Sequence, residues 1–372
     1  FGFFLMRDFR LLSLVGALTF AALGLTGPVM TVYLESLGAS FAQISLILTS
    51  AALSALVFNY LSGRLSDRLG RRKGLIIFAL LLMGLAYFWL GRVPNATLAW
   101  PIRIVEGVGG GAYGTLSLAL IGDVLERGSL SRGQSRGQSG GQSGGRGRWM
   151  GIYRGLGSAA YAVGAVTGGR LATQVSAPAV FTAAAGCYAA AALVMLLVSE
   201  PRFVGWKESE PGFVGLKDEQ DSTGHTILPI LESGESGFRQ GLPVPFLAGV
   251  ALWTAALSAV SSMWPNAMKH GGYSQAAISS LWGLAALVEM PSMALAGAAA
   301  DAVGRAPLLA AGAGGLALVF IGYLLLLPLL PALGGAQFLR GLAYGSYTAN
   351  AMTFTTESAA HDRRGSVSGT FA

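Results

Sequence analysis

GRLSDRLGRRKG (63–74) joins two long apolar stretches, 41–62 and 75–90. It gathers Arg64, Arg68, Arg71, Arg72 and Lys73 around one acid, Asp67. A fainter copy, GAAADAVGRAP (297–307), sits between two later apolar stretches. A cation-rich connection flanked by helix-length apolar runs predicts a loop at a membrane face. Its recurrence predicts a duplicated chain.

Working outward, the chain carries only 12% charged residues against 53% hydrophobic ones, with mean hydropathy +0.57. Soluble domains carry about 25% charged residues. A bilayer core takes about 20 apolar residues per helix. That rule gives ten spans: 11–34, 41–62, 75–90, 98–125, 150–172, 179–198, 244–268, 275–300, 308–330 and 333–356. None alternates at every second residue as a membrane barrel would. The expected fold class is therefore an all-α polytopic membrane protein.

The formal charge of +7 does not imply a nucleic-acid partner, because its distribution follows the positive-inside rule. Cations collect before span one and after spans two, four, six, eight and ten. The opposite loops, ESLGAS, GRVPNAT, TQVSAP and KHGGYS, hold only Arg92 and Lys269 besides a histidine. This places both termini in the cytoplasm and the chain in the plasma membrane. Span one is too long for a signal-peptide core and lacks a clear small-residue cleavage site, so it reads as retained. The single Cys187 permits no disulfide within the chain and reads as a packed thiol. His225, His270 and His361 read as loop residues with no local metal cluster, so no metal is expected. No Walker loop, H-E-x-x-H or serine-triad signature appears, so neither an enzyme nor a cofactor is expected.

Three regions follow: 1–198 as a six-span half, 199–243 as a polar linker, and 244–372 as a second half of four spans and the start of a fifth. Inside the linker EPRFVGWKE is echoed by EPGFVGLKD, a tandem duplication. Asp67 and Asp301 lie 234 residues apart, and GAYGT (111–115) matches LAYGS (342–346) at an offset of 231. RGRWMG (146–151) matches RGSVSG (364–369) at 218, so the first half holds about thirteen extra residues, in SRGQSRGQSGGQSGG. That repeat reads as a flexible loop rather than an RNA-binding segment. Corresponding spans are six apart, an even number, so the halves insert in parallel.

The motif G-x-x-x-D-x-x-G-R after the second span of each half resembles the major facilitator superfamily. The resemblance covers nearly the whole chain and implies two pseudo-symmetric six-helix halves. The first copy holds Gly63, Asp67, Gly70 and Arg71; the second holds Gly297, Asp301, Gly304 and Arg305. The resemblance implies a cytoplasmic latch, made and broken during alternating access. Gly63 would let another helix approach closely, and Asp67 would face a helix N-terminus. Glu126 and Glu357 are the expected partners of Arg71 and Arg305. The family has twelve spans. This chain stops at GSVSGTFA, which looks like the opening of an eleventh, and FGFFL precedes Met6; on that count it reads as an incomplete product.

A charge within a span costs about 2.5–3.5 kcal/mol on insertion scales, so each invites a functional reading. Arg103 and Glu106, three apart, can meet on one helix face, and the resemblance implies a proton-coupling role for an Arg near there. Glu289 lies mid-span with no charge beside it in sequence and is the first proton-coupling candidate. Arg154 and Arg340 read as closer to span ends. Substrate-cavity candidates are Trp253 and Ser258, among the polar and aromatic residues of span seven, with Tyr113, Tyr344 and Asn350. GVGGGAYG (107–114) contains a dinucleotide-type glycine pattern but lies inside a span, where its glycines serve helix packing.

The expected function is secondary active transport of a small molecule, with protons and the bilayer as the other partners and the protein acting as a monomer. EMPSMALAG (289–297) resembles sugar- and drug-efflux members, which favours proton-coupled export. The alternatives are uptake by proton symport and a non-transporting receptor or scaffold on the same fold.

Overall fold

A computed structural model describes residues 2–69, 72–130, 144–199 and 243–357. All the described secondary structure is helical: α1 (Gly2–Ser36), α2 (Phe41–Leu69), α3 (Lys73–Leu90), α4 (Ala96–Leu130), α5 (Gly144–Gln174), α6 (Ala177–Leu196), α7 (Val244–His270), α8 (Gln275–Val303), α9 (Arg305–Leu325) and α10 (Leu330–Glu357). Eight of the ten predicted spans lie wholly within one of these helices, and span six overshoots α6 by two residues. Span nine was expected to run to residue 330, but α9 stops at Leu325. Pro328 has no N–H to donate, and α10 restarts at Leu330 with Pro331 in its first turn. His270, expected in a loop, is the last residue of α7. The predicted linker and the RGQS repeat (131–143 in part) lie outside the described residues.

Among the described residues, eight helices are long and apolar enough to cross a membrane by length and composition. The other two pack between neighbours, α5, rich in glycine, against α1 and α8, and α10, rich in polar side chains, against α8 and α9. A helix shielded from lipid by others can hold polar side chains that a lipid-facing helix cannot.

The two ends of the bundle are built differently. At the end formed by the four cation-poor loops, neutral side chains cap the helix starts. Ser40 and Gln43 form a reciprocal capping box at α2, with 3.3 Å from Gln43 N–H to Ser40 Oγ and 2.9 Å from Ser40 N–H to Gln43 Oε1. Asn95 caps α4, Ser176 α6 and Ser274 α8. At the other end, here called the basic end, cations meet helix C-termini. Lys73 Nζ donates to the Leu196 and Val198 carbonyls at 2.7 Å each, and Arg7 donates to Leu197 O at 3.2 Å. A cation there satisfies orphan carbonyls and complements the helix dipole.

Helices α1 to α6 share one apolar core, in which Tyr87 stacks on Tyr188 at 5.4 Å and Phe181 lies 4.7 Å from Tyr33. A smaller core in the second group holds Trp264, Met268, Ile278, Val319 and Tyr323. Within each group, glycine brings two helices together. A methyl on Gly107 would lie 2.2 Å from Ala51 O, and one on Gly111 2.3 Å from Ala55 O, so α4 seats directly on the α2 backbone. The same happens between α10 and α8, with Gly341 2.6 Å from Ala285 O and Gly345 2.9 Å from Glu289 O. Gly107 to Gly341, Gly111 to Gly345, Ala51 to Ala285 and Ala55 to Glu289 are all steps of 234 residues. The packing repeat thus keeps the register of the loop motif, not the 231 read from the tyrosines; Tyr113 corresponds to Tyr347.

Candidate functional site

Where α1 and α5 of the first group face α7, α8 and α10 of the second, a cavity of about 370 Å³ opens. Phe20, Tyr161, Trp282 and Tyr344 supply aromatic walls, and Ser158, Ser258 and Ser261 supply hydroxyls. Glu289 and Arg340 are its two charged lining residues. Trp282 donates its indole N–H to the Tyr161 oxygen at 2.9 Å, joining α8 to α5 across the group boundary.

Arg340 corrects the sequence reading. It lies well inside α10, is 8% exposed, and stacks its guanidinium 4.5 Å from the Trp282 ring centre. It donates at long range to Gln337 Oε1 (3.4 Å) and Ser261 Oγ (3.5 Å). Glu289 therefore does not stand alone: α10 places a permanent cation in its cavity. An aromatic-walled site with one acid, one guanidinium and several hydroxyls can hold a flat, partly apolar solute carrying polar groups.

The other cavity candidates divide. Ser258 and Tyr344 line the cavity. Trp253 stacks on Tyr347, centroids 3.9 Å apart and planes 11° apart. Tyr113 is buried in the first-group core, and Asn350, fully buried, donates to Ser346 O in its own helix at 2.8 Å. Neither lines the described cavity.

Arg103 and Glu106 meet on one face of α4 at 2.7 Å, both side chains nearly buried, and Tyr87 donates to Glu106 at 3.1 Å. They belong to the first group's interior rather than to the cavity.

At the basic end, Gly70 and Arg71 lie outside the described residues, as do the side chains of Asp67, Glu126, Asp301 and Glu357. In the first copy of the motif, Arg72 bonds Asp123 of α4. Close approach at Gly63 is not found: a methyl there would meet Thr115 at an ordinary 3.6 Å, and at Gly297 it would meet nothing within 4 Å. The glycines that seat α4 on α2 and α10 on α8 lie deeper, at 107, 111, 341 and 345. Gly304 does need its lack of a side chain: its φ of +87° breaks α8 from α9, and Arg305 begins the next helix.

Sequence reasoning missed a cluster at the opposite end. Glu35, at the end of α1, bonds His270 Nε2 at 2.6 Å and accepts from Asn266 Nδ2 at 2.5 Å. Asn266 also donates to Thr31 O at 3.2 Å, and Gln275 of α8 donates to Pro28 O at 2.9 Å. These residues lie more than 230 positions apart, so no local pattern could have joined them.

A bundle of hydrophobic helices in two glycine-packed groups, repeated at 234 residues around a shared polar cavity, defines an integral membrane protein of a duplicated helical class. The model of the Major Facilitator Superfamily matches residues 12–372, and the chain belongs to that family. This is a family of transporters rather than of enzymes. The chain is 31% identical over 107 residues to the quinolone resistance protein NorA of Staphylococcus aureus (strain MRSA252), a match covering 29% of this chain and 27% of that protein. It is 30% identical over 131 residues to the multi-drug resistance efflux pump PmrA of Streptococcus pneumoniae, covering 29% of this chain and 33% of that one. The matches thus span about a third or less of these relatives' length. In fold, it is similar to the nucleoside transporter NupG (TM-score 0.70, 13% identity, 99% of this chain and 86% of that one) and to a D-xylose–proton symporter (TM-score 0.63, 16% identity, 98% and 85%).

Proposed function

We propose that the chain carries a small, flat, amphipathic molecule across the plasma membrane by alternating access, as a proton-coupled exporter. Residues 1–198 and 244–372 act as two rocking halves, 199–243 connects them, and the protein works as a monomer. The basic end and both termini face the cytoplasm. The observation that carries this reading is the cavity shared by both helix groups, with Glu289 and Arg340 among aromatic walls. Glu289 can take up and release a proton, whereas Arg340 keeps its charge. Substrate and proton therefore compete for one carboxylate, which is how a site couples two fluxes.

The efflux relatives favour export over symport. The loop motif supplies the latch at the basic end: Asp67 and Asp301 hold it, Gly70, Gly304, Arg71 and Arg305 shape it, and Glu126 and Glu357 receive its cations. The Arg72–Asp123 pair supports this, since it ties the same loop to α4.

Reconstitution into vesicles tests the reading. Under an imposed pH gradient, a fluorescent quinolone or a planar aromatic cation should move against its own gradient in protein-containing vesicles only. Equal behaviour of both probes in protein-free vesicles would overturn it.

A further inference from the structure

At the end away from the basic loops, the two helix groups are joined by polar bonds. Besides the Glu35 cluster and the Gln275–Pro28 bond, the Ala276 N–H of α8 donates to Thr173 Oγ1 of α5 at 3.1 Å. Small residues close the same level: a methyl on Gly169 of α5 would lie 2.4 Å from Ser279 Cβ of α8. The structure is thus shut at this end.

The closure is not fully satisfied. Thr31 Oγ1, Asn266 Oδ1 and Gln275 Oε1 are buried with no protein hydrogen-bond partner. The orientation of the Asn266 amide is forced, since both neighbours of its Nδ2, Thr31 O and the Glu35 carboxylate, are acceptors. Buried acceptors without partners disfavour the shut state, and opening would hydrate them. A near-balanced interface of this kind is sensitive to one added charge interaction.

Glu35 and His270 supply that interaction. The pair spans the group boundary and is reachable by water: the His270 side chain is 60% exposed and that of Glu35 27%. It is an ion pair only while His270 is protonated, and histidine is the side chain that changes charge between about pH 5 and 8. The surroundings are otherwise quiet. Phe41 of α2 lies 6.0 Å from the His270 ring. Lys269 is the neighbouring cation on α7, Arg170 lies in the last turns of α5, and α8 begins with uncharged Gln275. On α4, Arg103 and Glu106 are paired with each other.

We propose that Glu35, Asn266 and His270 form a proton-sensitive clasp between α1 and α7 that holds this end of the carrier shut. Protonated His270 closes it, and loss of that proton loosens it. The inference rests on the proposed orientation, in which this end faces outside. A proton arriving from outside then does two things: it displaces substrate at Glu289 and, on His270, it shuts the outer end behind it.

Electron-spin distance measurement between labels at Ser36→Cys on α1 and Ala267→Cys on α7, in a Cys187→Ala background, reads the clasp without any transported probe. Both label sites are exposed. At pH 6 one short distance should dominate. At pH 8.5 the fraction at longer distance should rise about two- to fivefold, the range for a solvent-accessible ion pair. His270→Gln should abolish this pH response, and Glu35→Gln should give the longer distance at both pH values. An unchanged wild-type distribution, or a pH response that survives His270→Gln, would overturn the clasp. Should either single variant fail to fold, the wild-type pH comparison still decides. Because no transport is measured, failure here leaves the cavity reading standing.

Discussion

The α2–α4 pair and the α8–α10 pair are the same construction with different contents. Each seats two glycines of the later helix on the backbone of the earlier one, 234 residues apart. In the first pair the charges, Arg103 and Glu106, lie on one helix and bond each other in the group's interior. In the second pair they are divided between helices: Glu289 stands where the first group has Ala55, and Arg340 where it has Glu106. Both line the shared cavity. The repeat therefore preserves the packing and frees the chemistry to differ. One group pairs its charges in its interior, and the other places them at the shared cavity.

The comparison breaks most visibly at Glu106. Glu106→Gln leaves Arg103 buried without its anion and should cost about 3–5 kcal/mol, read as a fall in thermal midpoint in detergent. Replacing Arg103 and Glu106 together by methionine should restore most of that loss. If the single variant melts like wild type, the first-group pair is not structural.

Next come the glycine seats. Gly111→Ala drives a methyl to 2.3 Å from a main-chain oxygen, which cannot yield, and should cost about 3 kcal/mol. Gly345→Ala first meets the Ser292 side chain, at 2.6 Å, with the nearest backbone oxygen at 2.9 Å; it should cost about 1–2 kcal/mol. The same unfolding experiment compares them, and a reversed order would show that the two seats are not equivalent constructions.

The smallest effect is expected at the loop motif. A methyl at Gly297 meets nothing within 4 Å inside a helix, so Gly297→Ala should stabilise by about 0.5–1 kcal/mol through lower chain entropy. A marked loss of stability would mean that Gly297 is pressed against another helix after all.

Much of this was legible in the sequence, for definite reasons. Spans show because apolar length is an unambiguous signal in lipid. Glu289 could be picked out because a lone acid in an apolar run is costly. Arg340 was misplaced because span ten was read as starting at residue 333 rather than at Leu330, which made the arginine look closer to an end. The tyrosine register misled because Tyr344 and Tyr347 both offer a partner to Tyr113, at 231 and 234, whereas backbone contact admits one. The Glu35–His270 bond had no signature at all, since its partners are 235 residues apart.

The central claim is that coupling lies in the shared cavity, at Glu289 of the second group. Its most direct test is pH-driven accumulation of the fluorescent quinolone in vesicles, set beside downhill exchange of the same probe. The account predicts that Glu289→Gln abolishes accumulation while exchange continues, because a glutamine keeps the hydrogen-bonding shape but cannot release a proton. Glu289→Gln vesicles that still concentrate the probe, with unchanged pH dependence, would contradict it.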